Sequence, residues 1–185
     1  MIEVVVKIGG RLLGLDGALD RVARTIAEVA PRTGLLIVPG GGPFADAVRV
    51  AYRQHRLSPT AAHWMAILGM EQMAHLLAER IVDAMIVTSS DLASAVAGAG
   101  KTPVLAPYQL LRERDPLPHS WDVTSDSIAA WVAGEVGARR LVLVKAVSGC
   151  VTDLADNYVA RALSEGVRAE VIGVDSLDAA ALAGS

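Results

Sequence analysis

The chain has little that would cross-link it or anchor it in a membrane. It contains one cysteine, Cys150, so no disulfide can form within it, and we expect a reducing compartment and a cytoplasmic location. Its apolar start, residues 1–8, includes a lysine and no basic leader segment, which indicates a strand and not a signal peptide. No stretch reaches the roughly 18 uncharged apolar residues that a membrane-spanning helix needs, so we expect no membrane contact.

Aromatic residues and net charge are also scarce. Aromatic side chains make up 4 % of the 185 residues whereas hydrophobic residues make up 52 %, so the core must be aliphatic. The formal net charge of −3 gives no general attraction to nucleic acid, and we expect no nucleic-acid partner. An anion-binding site would therefore have to be local. A chain of this length favours one domain with a substantial core.

Two common nucleotide-binding patterns are missing from the glycine-rich segments. The spacings Gly-x4-Gly-Lys-Ser/Thr and Gly-x-Gly-x2-Gly are both absent, so neither a P-loop nor a Rossmann site is indicated. Two apolar runs instead end in glycine turns, and these turns comprise Gly9, Gly10, Gly40, Gly41 and Gly42. Successive backbone N–H groups in such turns can bind an anion, and a helix that starts there adds the positive end of its dipole. The pair of turns predicts a phosphate site; the alternative is that the glycines only form turns.

The order of apolar patterns predicts an α/β fold with a mainly parallel sheet covered by helices on both faces. Strand patterns occupy residues 1–8, 35–38, 85–87, 104–106, 141–145 and 169–174. Helix patterns occupy residues 16–29, 44–52, 58–82, 91–97, 124–136 and 156–163. Ser176 is predicted to cap a last short helix. Residues 112–119, which are rich in charge and contain two prolines, predict a surface loop.

A third motif lies in the second half of the chain. The segment Asp122-Val-Thr-Ser-Asp126-Ser-Ile-Ala-Ala begins a predicted helix, which leads through Gly137-Ala138 to a strand that ends at Lys145. This segment and the two glycine turns, in this order over about 150 residues, resemble the amino acid kinase superfamily, which includes acetylglutamate, aspartate and uridylate kinases.

The resemblance implies a fold and an activity. The fold is a three-layer αβα sandwich, a single domain over residues 1–185. Its acceptor-binding half covers about residues 1–110, and its shortened nucleotide-binding half covers about residues 120–185. The activity is ATP-dependent phosphoryl transfer to a small acceptor that already carries a phosphate. The implied cofactors are ATP and Mg²⁺, with no metal held by the protein itself, and the chain is expected to form a homo-oligomer.

Three residues are the predicted catalytic group: Lys7, Asp126 and Lys145. Each lysine is the only charge at the end of an apolar strand, which is a costly place for an amine unless it faces an anion or a carboxylate. Asp126 resembles the family's aspartate that orients such lysines. The alternatives are a lysine that reaches solvent from the strand end and an ordinary carboxylate at a helix terminus.

The resemblance also assigns residues that bind phosphate and nucleotide. The predicted phosphate-binding residues are Gly9, Gly10, Arg11, Gly40, Gly41 and Gly42. The predicted nucleotide-binding residues are Lys145, Ser148, Gly149 and Asp153. Ser148 stands where the family usually has aspartate, and no Gly-Gly-Met-x2-Lys motif follows it. Residues 153–161 resemble the family's penultimate helix, and only a few residues lie between Gly149 and this segment, so the loop that normally walls the adenine is short, which leaves base selectivity open. Arg11 stands where the family has a small residue, so its assignment comes from its own chemistry: it could bind an acceptor phosphate, or it could be a surface arginine.

The acceptor side has its own signature, and the predicted substrate-binding residues are His63, Gln72 and Asp122. His63, Ala66 and Met70 fall along one side of a predicted helix. His-Trp-Met after the glycine triplet resembles a short subgroup similar to the furanmethanol phosphate kinases of methanofuran biosynthesis. Packing remains the alternative for His63 and Gln72. A uridylate or amino acid kinase, or a non-catalytic ligand-binding member of the fold, remains the functional alternative.

Overall fold

A computed structural model describes residues 1–184 and contains one six-stranded sheet in which every strand pairing is parallel. The strands are β1 (Val4–Ile8), β2 (Leu35–Pro39), β3 (Ala84–Val87), β4 (Thr102–Leu105), β5 (Arg140–Lys145) and β6 (Arg168–Gly173). Their order is β3-β4-β2-β1-β5-β6, so β1 lies between β2 and β5. Strands β2 to β4 lie on one side of β1 and strands β5 and β6 on the other, and in such sheets a crevice forms at the carboxyl ends of the strands where the order reverses.

Helices cover both faces of the sheet, as predicted. They are α1 (Ala18–Val29), α2 (Gly42–His55), α3 (Pro59–Arg80), α4 (Ser90–Gly98), α5 (Pro107–Arg114), α6 (Ser125–Glu135), α7 (Val151–Leu154), α8 (Val159–Ala162) and α9 (Ala179–Ala183). Two short 3₁₀ turns, Gly10–Gly14 and Val174–Ser176, complete the elements described. The parallel α/β architecture confirms the predicted fold class.

The apolar strand residues are buried on both sides, because alternate side chains enter two separate cores. Val5, Leu36 and Leu141 belong to the core that α4, α5 and α6 cover. Val6 and Ile37 belong to the opposite core, which α1 and the second half of α3 cover. All five residues of β1 are buried. This central strand is therefore a rigid support for the residues at its carboxyl end.

The predicted loop at residues 112–119 is partly wrong. Its first three residues belong to α5, which has Pro107 at its start, where a missing N–H costs no helical hydrogen bond. The next N–H, that of Tyr108, donates to Glu71 of α3 at 3.0 Å. Composition predicted the loop because prolines and charges dominate the segment, but a side chain from a distant helix stabilises the first turn.

Two predictions near the carboxyl end also need correction. Of the helix predicted at residues 156–163 only the four residues of α8 are helical, and Asp156 lies between α8 and the equally short α7, which precedes the predicted span. Asp178, not Ser176, caps the last helix, and its carboxylate accepts from the N–H of Ala181 at 2.8 Å. Ser176 lies in a 3₁₀ turn. A helix pattern this short does not show which of several capping residues begins the helix.

Candidate active site

A cavity of about 940 Å³ lies at the carboxyl edge of the sheet, between the glycine turns, α3 and the start of α6. Nine of the predicted site residues line it: Lys7, Gly9, Gly10, Arg11, Gly41, Gly42, His63, Asp126 and Lys145. Six others do not: Gly40, Gln72, Asp122, Ser148, Gly149 and Asp153. The cavity thus collects the predicted catalytic group, most of the phosphate-binding glycines and one acceptor residue.

Lys7, Asp126 and Lys145 form one buried ionic cluster. The Lys7 Nζ lies 2.7 Å from Oδ1 of Asp126, and the Lys145 Nζ donates to Oδ2 of the same carboxylate at 2.6 Å. Lys7 is the fourth residue of β1, and Lys145 is the last residue of β5, so two adjacent strands present both amines at one edge. Only 6 % of the Lys7 side chain and 5 % of the Asp126 side chain are exposed.

Burial and charge oppose each other in this cluster. Burial lowers the pKa of Lys7 below its ordinary value, and the Asp126 carboxylate acts against this. For Asp126 burial alone would raise the pKa, but Lys7 and Lys145 outweigh it and hold the pKa below its usual range. Asp126 is therefore ionised at neutral pH. An ionised carboxylate held between two amines has no proton to give and keeps both amines in place.

The start of α6 positions Asp126. Thr124 is the N-cap residue, and its Oγ1 accepts from the N–H of Asp126 at 3.2 Å. A carboxylate in the first turn is favoured by the helix dipole, and this one is buried beneath the cap. Asp156 approaches the same turn from the other side, a contact that no sequence pattern indicated.

The two glycine turns touch each other through their backbones. A Cβ on Gly10 would overlap the backbone of Gly42, and one on Gly40 would lie 2.7 Å from the Gly10 nitrogen. Gly42 has a φ of 52°, in the left-handed region, whereas Gly41 has a φ of −78°. The contact explains why both turns need glycine. Buried Gly40 supports the turn from beneath, and Gly41 and Gly42 begin α2, whose free N–H groups face the cavity.

Arg11 lies at the cavity next to this contact. Its side chain is exposed, and within residues 1–184 no carboxylate forms an ion pair with it. A guanidinium with free donors can bind a phosphate through two parallel hydrogen bonds. Phosphate binding by Arg11 stays a prediction, and its position at the cavity is compatible with it.

Aromatic side chains surround the acceptor end of the cavity. The ring of His63 stacks on His119 with centroids 4.3 Å apart, and His119 Nε2 lies 2.8 Å from the Asp115 carboxylate. Burial and the neighbouring His119 lower the pKa of His63 to about 4, so its imidazole is neutral at pH 7. His119 lies in the segment predicted as a surface loop. It is 56 positions from His63 in the chain, so no local sequence pattern predicts that the two rings stack.

Trp121 forms a second aromatic wall that the sequence did not reveal. The Arg49 guanidinium lies 5.1 Å from the centre of its ring, and Tyr52 meets it edge to face with centroids 5.6 Å apart. Arg49 also bonds Asp46 at 2.6 Å. These residues line the same cavity as His63, except Tyr52, which supports Trp121 from behind.

Gln72 and Asp122 are not brought to the cavity. Gln72 follows His63 by nine positions, which is about two and a half helical turns, so it emerges on the opposite, exposed side of α3. The Asp122 side chain is exposed and accepts from the Ser120 hydroxyl at 3.2 Å. Its neighbours Trp121 and Val123 face the cavity instead.

The predicted nucleotide side is open. Ser148, Gly149 and Asp153 are exposed, and the Ser148 hydroxyl accepts from the N–H of Gly173 at 2.8 Å. Lys145 alone among the four predicted nucleotide-binding residues lines the cavity. Its Nζ also donates to the carbonyl oxygen of Leu154 at 2.6 Å.

The described part of the chain has no group of three or more His, Cys, Asp or Glu side chains that could hold a metal ion. Mg²⁺ binds through one or two carboxylates plus substrate phosphates in many phosphotransferases, so a nucleotide could bring the ion with it. No helix among residues 1–184 is long and apolar enough to cross a bilayer.

The fold and the site together define a parallel α/β protein with a lysine–aspartate–lysine cluster at a crevice lined by glycine turns. The model of the amino acid kinase family matches residues 3–165, and the chain belongs to this family. The family assignment confirms the resemblance stated above.

Two curated relatives are kinases. The chain is 29 % identical over 145 residues to the [5-(aminomethyl)furan-3-yl]methyl phosphate kinase of Methanocaldococcus jannaschii, covering 78 % of this chain and 66 % of the relative. It is 29 % identical over 174 residues to a uridylate kinase of Corynebacterium glutamicum, covering 82 % and 67 %. The chain thus spans about two thirds of the length of the curated relatives it matches.

Solved structures show the same fold. The UMP kinase from Ureaplasma parvum superimposes with a TM-score of 0.74 at 16 % identity, covering 94 % of this chain and 90 % of that one. The uridylate kinase from Archaeoglobus fulgidus gives a TM-score of 0.61 at 22 % identity and covers 80 % and 65 %.

Proposed function

We propose that this protein catalyses ATP-dependent phosphoryl transfer to the phosphate group of a small phosphate monoester. The observation that carries the proposal is the buried cluster of Lys7, Asp126 and Lys145 on the floor of the cavity. Phosphoryl transfer asks a protein mainly for alignment and for positive charge near the transferred group. One carboxylate for two ammonium groups leaves the cluster with a net positive charge that an anion can neutralise.

The donors of the cluster suit that role. An ammonium has three N–H groups, and Lys145 uses two of them on Asp126 and Leu154. Lys7 has one carboxylate contact, to Asp126. The remaining donors can bind phosphate oxygens in the cavity that both lysines line. The N–H groups at the start of α2 can bind a second anion.

ATP fits these residues as phosphate donor, and Mg²⁺ bound to its phosphates would neutralise part of their charge. In the transfer an oxygen of the acceptor phosphate bonds to the γ-phosphorus while the bond to ADP breaks, which gives a diphosphate. An acceptor phosphate is already ionised at pH 7, so no general base is required. This agrees with the side chains near the cluster among residues 1–184, since the neutral His63 is only a weak base.

For the acceptor we propose [5-(aminomethyl)furan-3-yl]methyl phosphate, the compound that the name of the M. jannaschii relative specifies. Its diphosphate would serve the synthesis of a methanofuran-type C1 cofactor. The aromatic side chains His63 and Trp121 at the cavity suit a small planar ring. We further infer a homo-oligomer that acts in the cytoplasm.

Uridylate kinase activity is the second candidate, because the uridylate kinase match covers a larger share of this chain, 82 % against 78 %. Coupled ADP release should be measured with the furan phosphate, UMP, acetylglutamate and aspartate as acceptors. We expect the furan phosphate to give the highest kcat/KM. A preference for UMP would replace the proposed substrate, and ligand binding without turnover of any acceptor would favour a non-catalytic member of the fold.

The requirement for an acceptor phosphate has its own test. We expect the dephosphorylated furan alcohol to be a poor acceptor, because a neutral hydroxyl needs a base. Arg11→Ala should raise the KM of the phosphorylated acceptor if the free guanidinium binds it. Equal turnover of both compounds by the wild-type protein would refute the phosphate-acceptor proposal, whereas an unaffected Arg11→Ala would refute only the role of the arginine.

A further inference from the structure

Asp156, which has no role in the proposal above, makes more hydrogen bonds than any residue of the catalytic cluster. Its carboxylate accepts from the N–H and the Oγ1 of Thr124, at 3.1 and 2.6 Å. It also accepts from the N–H of Ser127 at 3.2 Å and from the Ser127 hydroxyl. A fifth bond comes from the N–H of Tyr158 at 3.0 Å. One side chain thus fastens the chain after α7 to the start of α6.

Thr124, the N-cap of α6, and Ser127 in its first turn lie on either side of Asp126. Thr124 precedes Asp126 by two positions and Ser127 follows it directly, so four of the five bonds fix the turn from which the buried carboxylate projects. Asp126 in turn holds Lys7 and Lys145 at contact distance. A shift of this turn would move the one group that both lysines share.

The segment that carries Asp156 reaches the cluster by a second route. The carbonyl oxygen of Leu154, two residues earlier, accepts from the Lys145 Nζ at 2.6 Å. Around these anchors the segment has little regular structure, since α7 and α8 have four residues each and Thr152, Asp153 and Asn157 are exposed. The hydrogen bonds of Leu154 and Asp156 therefore hold this segment in place, because helices of four residues are not stable by themselves.

We propose that Asp156 is a positioning residue that holds Asp126, and through it both lysines, in alignment for phosphoryl transfer. The inference rests on the proposed function. It also makes the nucleotide-side segment part of the catalytic alignment, because the same carboxylate that orders residues 154–158 orders the first turn of α6.

Three variants test the proposal: Asp156→Ala, Asp156→Asn and Asp178→Ala. Asp178 is the matched control, since it too caps a helix through its carboxylate but does not line the cavity. We expect Asp156→Ala to lower kcat about 10- to 100-fold, because small misplacements of reacting groups cost about this much, with little change in either KM. Asp156→Asn keeps one acceptor oxygen and should fall between Asp156→Ala and wild type. Asp178→Ala should leave kcat unchanged.

The pH profile separates positioning from simple loss of structure. The charged groups that act on Lys7 are Asp126 of α6, Lys145 of β5 and Asp156 itself. Because the Asp156 charge favours the protonated lysine, its removal should move the alkaline limb of kcat against pH to lower pH in both Asp156 variants. A merely structural cap would leave the midpoint of that limb where it is in the wild-type protein.

A measurement that does not depend on turnover keeps the inference separate from the proposed function. In ¹⁵N-labelled protein, the Asp126 amide and the Nζ signals of Lys7 and Lys145 should shift in Asp156→Asn and stay in place in Asp178→Ala. Unchanged signals, or an Asp156→Ala kcat equal to that of wild type, would overturn the positioning role. If the wild-type protein turned over no acceptor while the signals shifted as expected, the proposed function would fail and the alignment of the cluster by Asp156 would stand.

Discussion

At the scale of single residues, the unequal charge of the cluster decides what the cavity can bind. Asp126 offers one negative charge to two amines, and all three groups are largely removed from water. Buried charges are tolerated only where partners replace water, so the excess positive charge favours a bound anion. We therefore expect substitution of Lys7 to affect mainly kcat and substitution of Asp126 to affect mainly the stability of the fold.

Lys7→Ala should lower kcat by two to three orders of magnitude. One positive donor at a transition state is worth roughly 3–4 kcal/mol. The fold should survive, because Lys145 still pairs with Asp126 when Lys7 is removed. The measurement is kcat together with the melting temperature, and the exposed Lys101→Ala is the control. A Lys7→Ala variant with near-normal kcat would contradict the site assignment.

Asp126→Asn should make the free energy of unfolding less dependent on pH in the acidic range. The pKa of Asp126 lies below its ordinary value of 3.8, so the carboxylate contributes stability above that pH and loses it as the pH falls through the folded-state pKa. Loss of one partner of a buried pair costs about 3–5 kcal/mol. Wild type should therefore be more stable than Asp126→Asn by about this much at pH 7, and the difference should shrink below about pH 4.

Denaturation from pH 7 to pH 3 measures this difference, with exposed Asp91→Asn as control. A difference that stayed constant over the whole range would mean that the carboxylate is not paired in the folded protein.

At the scale of the elements, the contact between the glycine turns is the tightest constraint on the site. The turn after β1 and the start of α2 meet without side chains between them. This lets the N-terminus of α2 approach the strand end that carries Lys7. Packing and the proposed anion binding therefore depend on the same glycines, so we expect one substitution to affect both.

Gly10→Ala should destabilise the protein and weaken phosphate binding together, because its Cβ would overlap the backbone of Gly42 and push α2 away. Overpacking of this kind costs about 1–3 kcal/mol. Gly98→Ala is the matched control, since a Cβ there meets nothing within 4 Å and the position is helical. We expect that variant to be neutral or slightly more stable. Calorimetry and a phosphate titration measure both effects, and a fully stable Gly10→Ala would show that the turns can separate.

The elements also show what the sequence could reveal. Lys7 and Lys145 were predictable because a lone charge at the end of an apolar strand is a local pattern, and parallel pairing brings such ends together. Asp156, Trp121 and His119 were not, because their roles come from contacts between segments far apart in the chain. Gln72 was misassigned because its polarity was considered without its angular position on α3.

At the scale of the whole molecule, the two ends of the cavity differ in how completely the protein surrounds them. The acceptor end has His63 and Trp121 from separate segments. On the nucleotide side the chain between β5 and β6 contributes only two four-residue helices, and three of its predicted binding residues are exposed. Selection should therefore be stricter for the acceptor than for the base of the nucleotide.

GTP should replace ATP with a modest loss of kcat/KM. Few side chains are available to contact the base, and the proposed contacts of Lys7 and Lys145 are with phosphates that both nucleotides share. We expect kcat/KM for GTP within about 10-fold of the ATP value, since a missing pair of base contacts is worth about 1–1.5 kcal/mol. Initial rates with both nucleotides at saturating acceptor measure this. A preference for ATP above about 100-fold would mean that another part of the protein, or a neighbouring subunit, walls the adenine.

The backbone contact between Gly10 and Gly42 also bears on how activity is inferred from sequences of this family. A chain that had lost catalysis but kept its fold would still favour both glycines, because a Cβ on Gly10 would overlap the backbone of Gly42 and Gly42 has a left-handed backbone, and neither requirement depends on a ligand. The glycine motifs therefore indicate that a chain has this fold, and they do not show that it is catalytically active. Lys7 and Lys145 have no comparable structural necessity together, because one lysine is enough to pair with Asp126 and a second buried amine costs stability unless a further anion binds. Searches for working enzymes among such chains should therefore be guided by the two lysines.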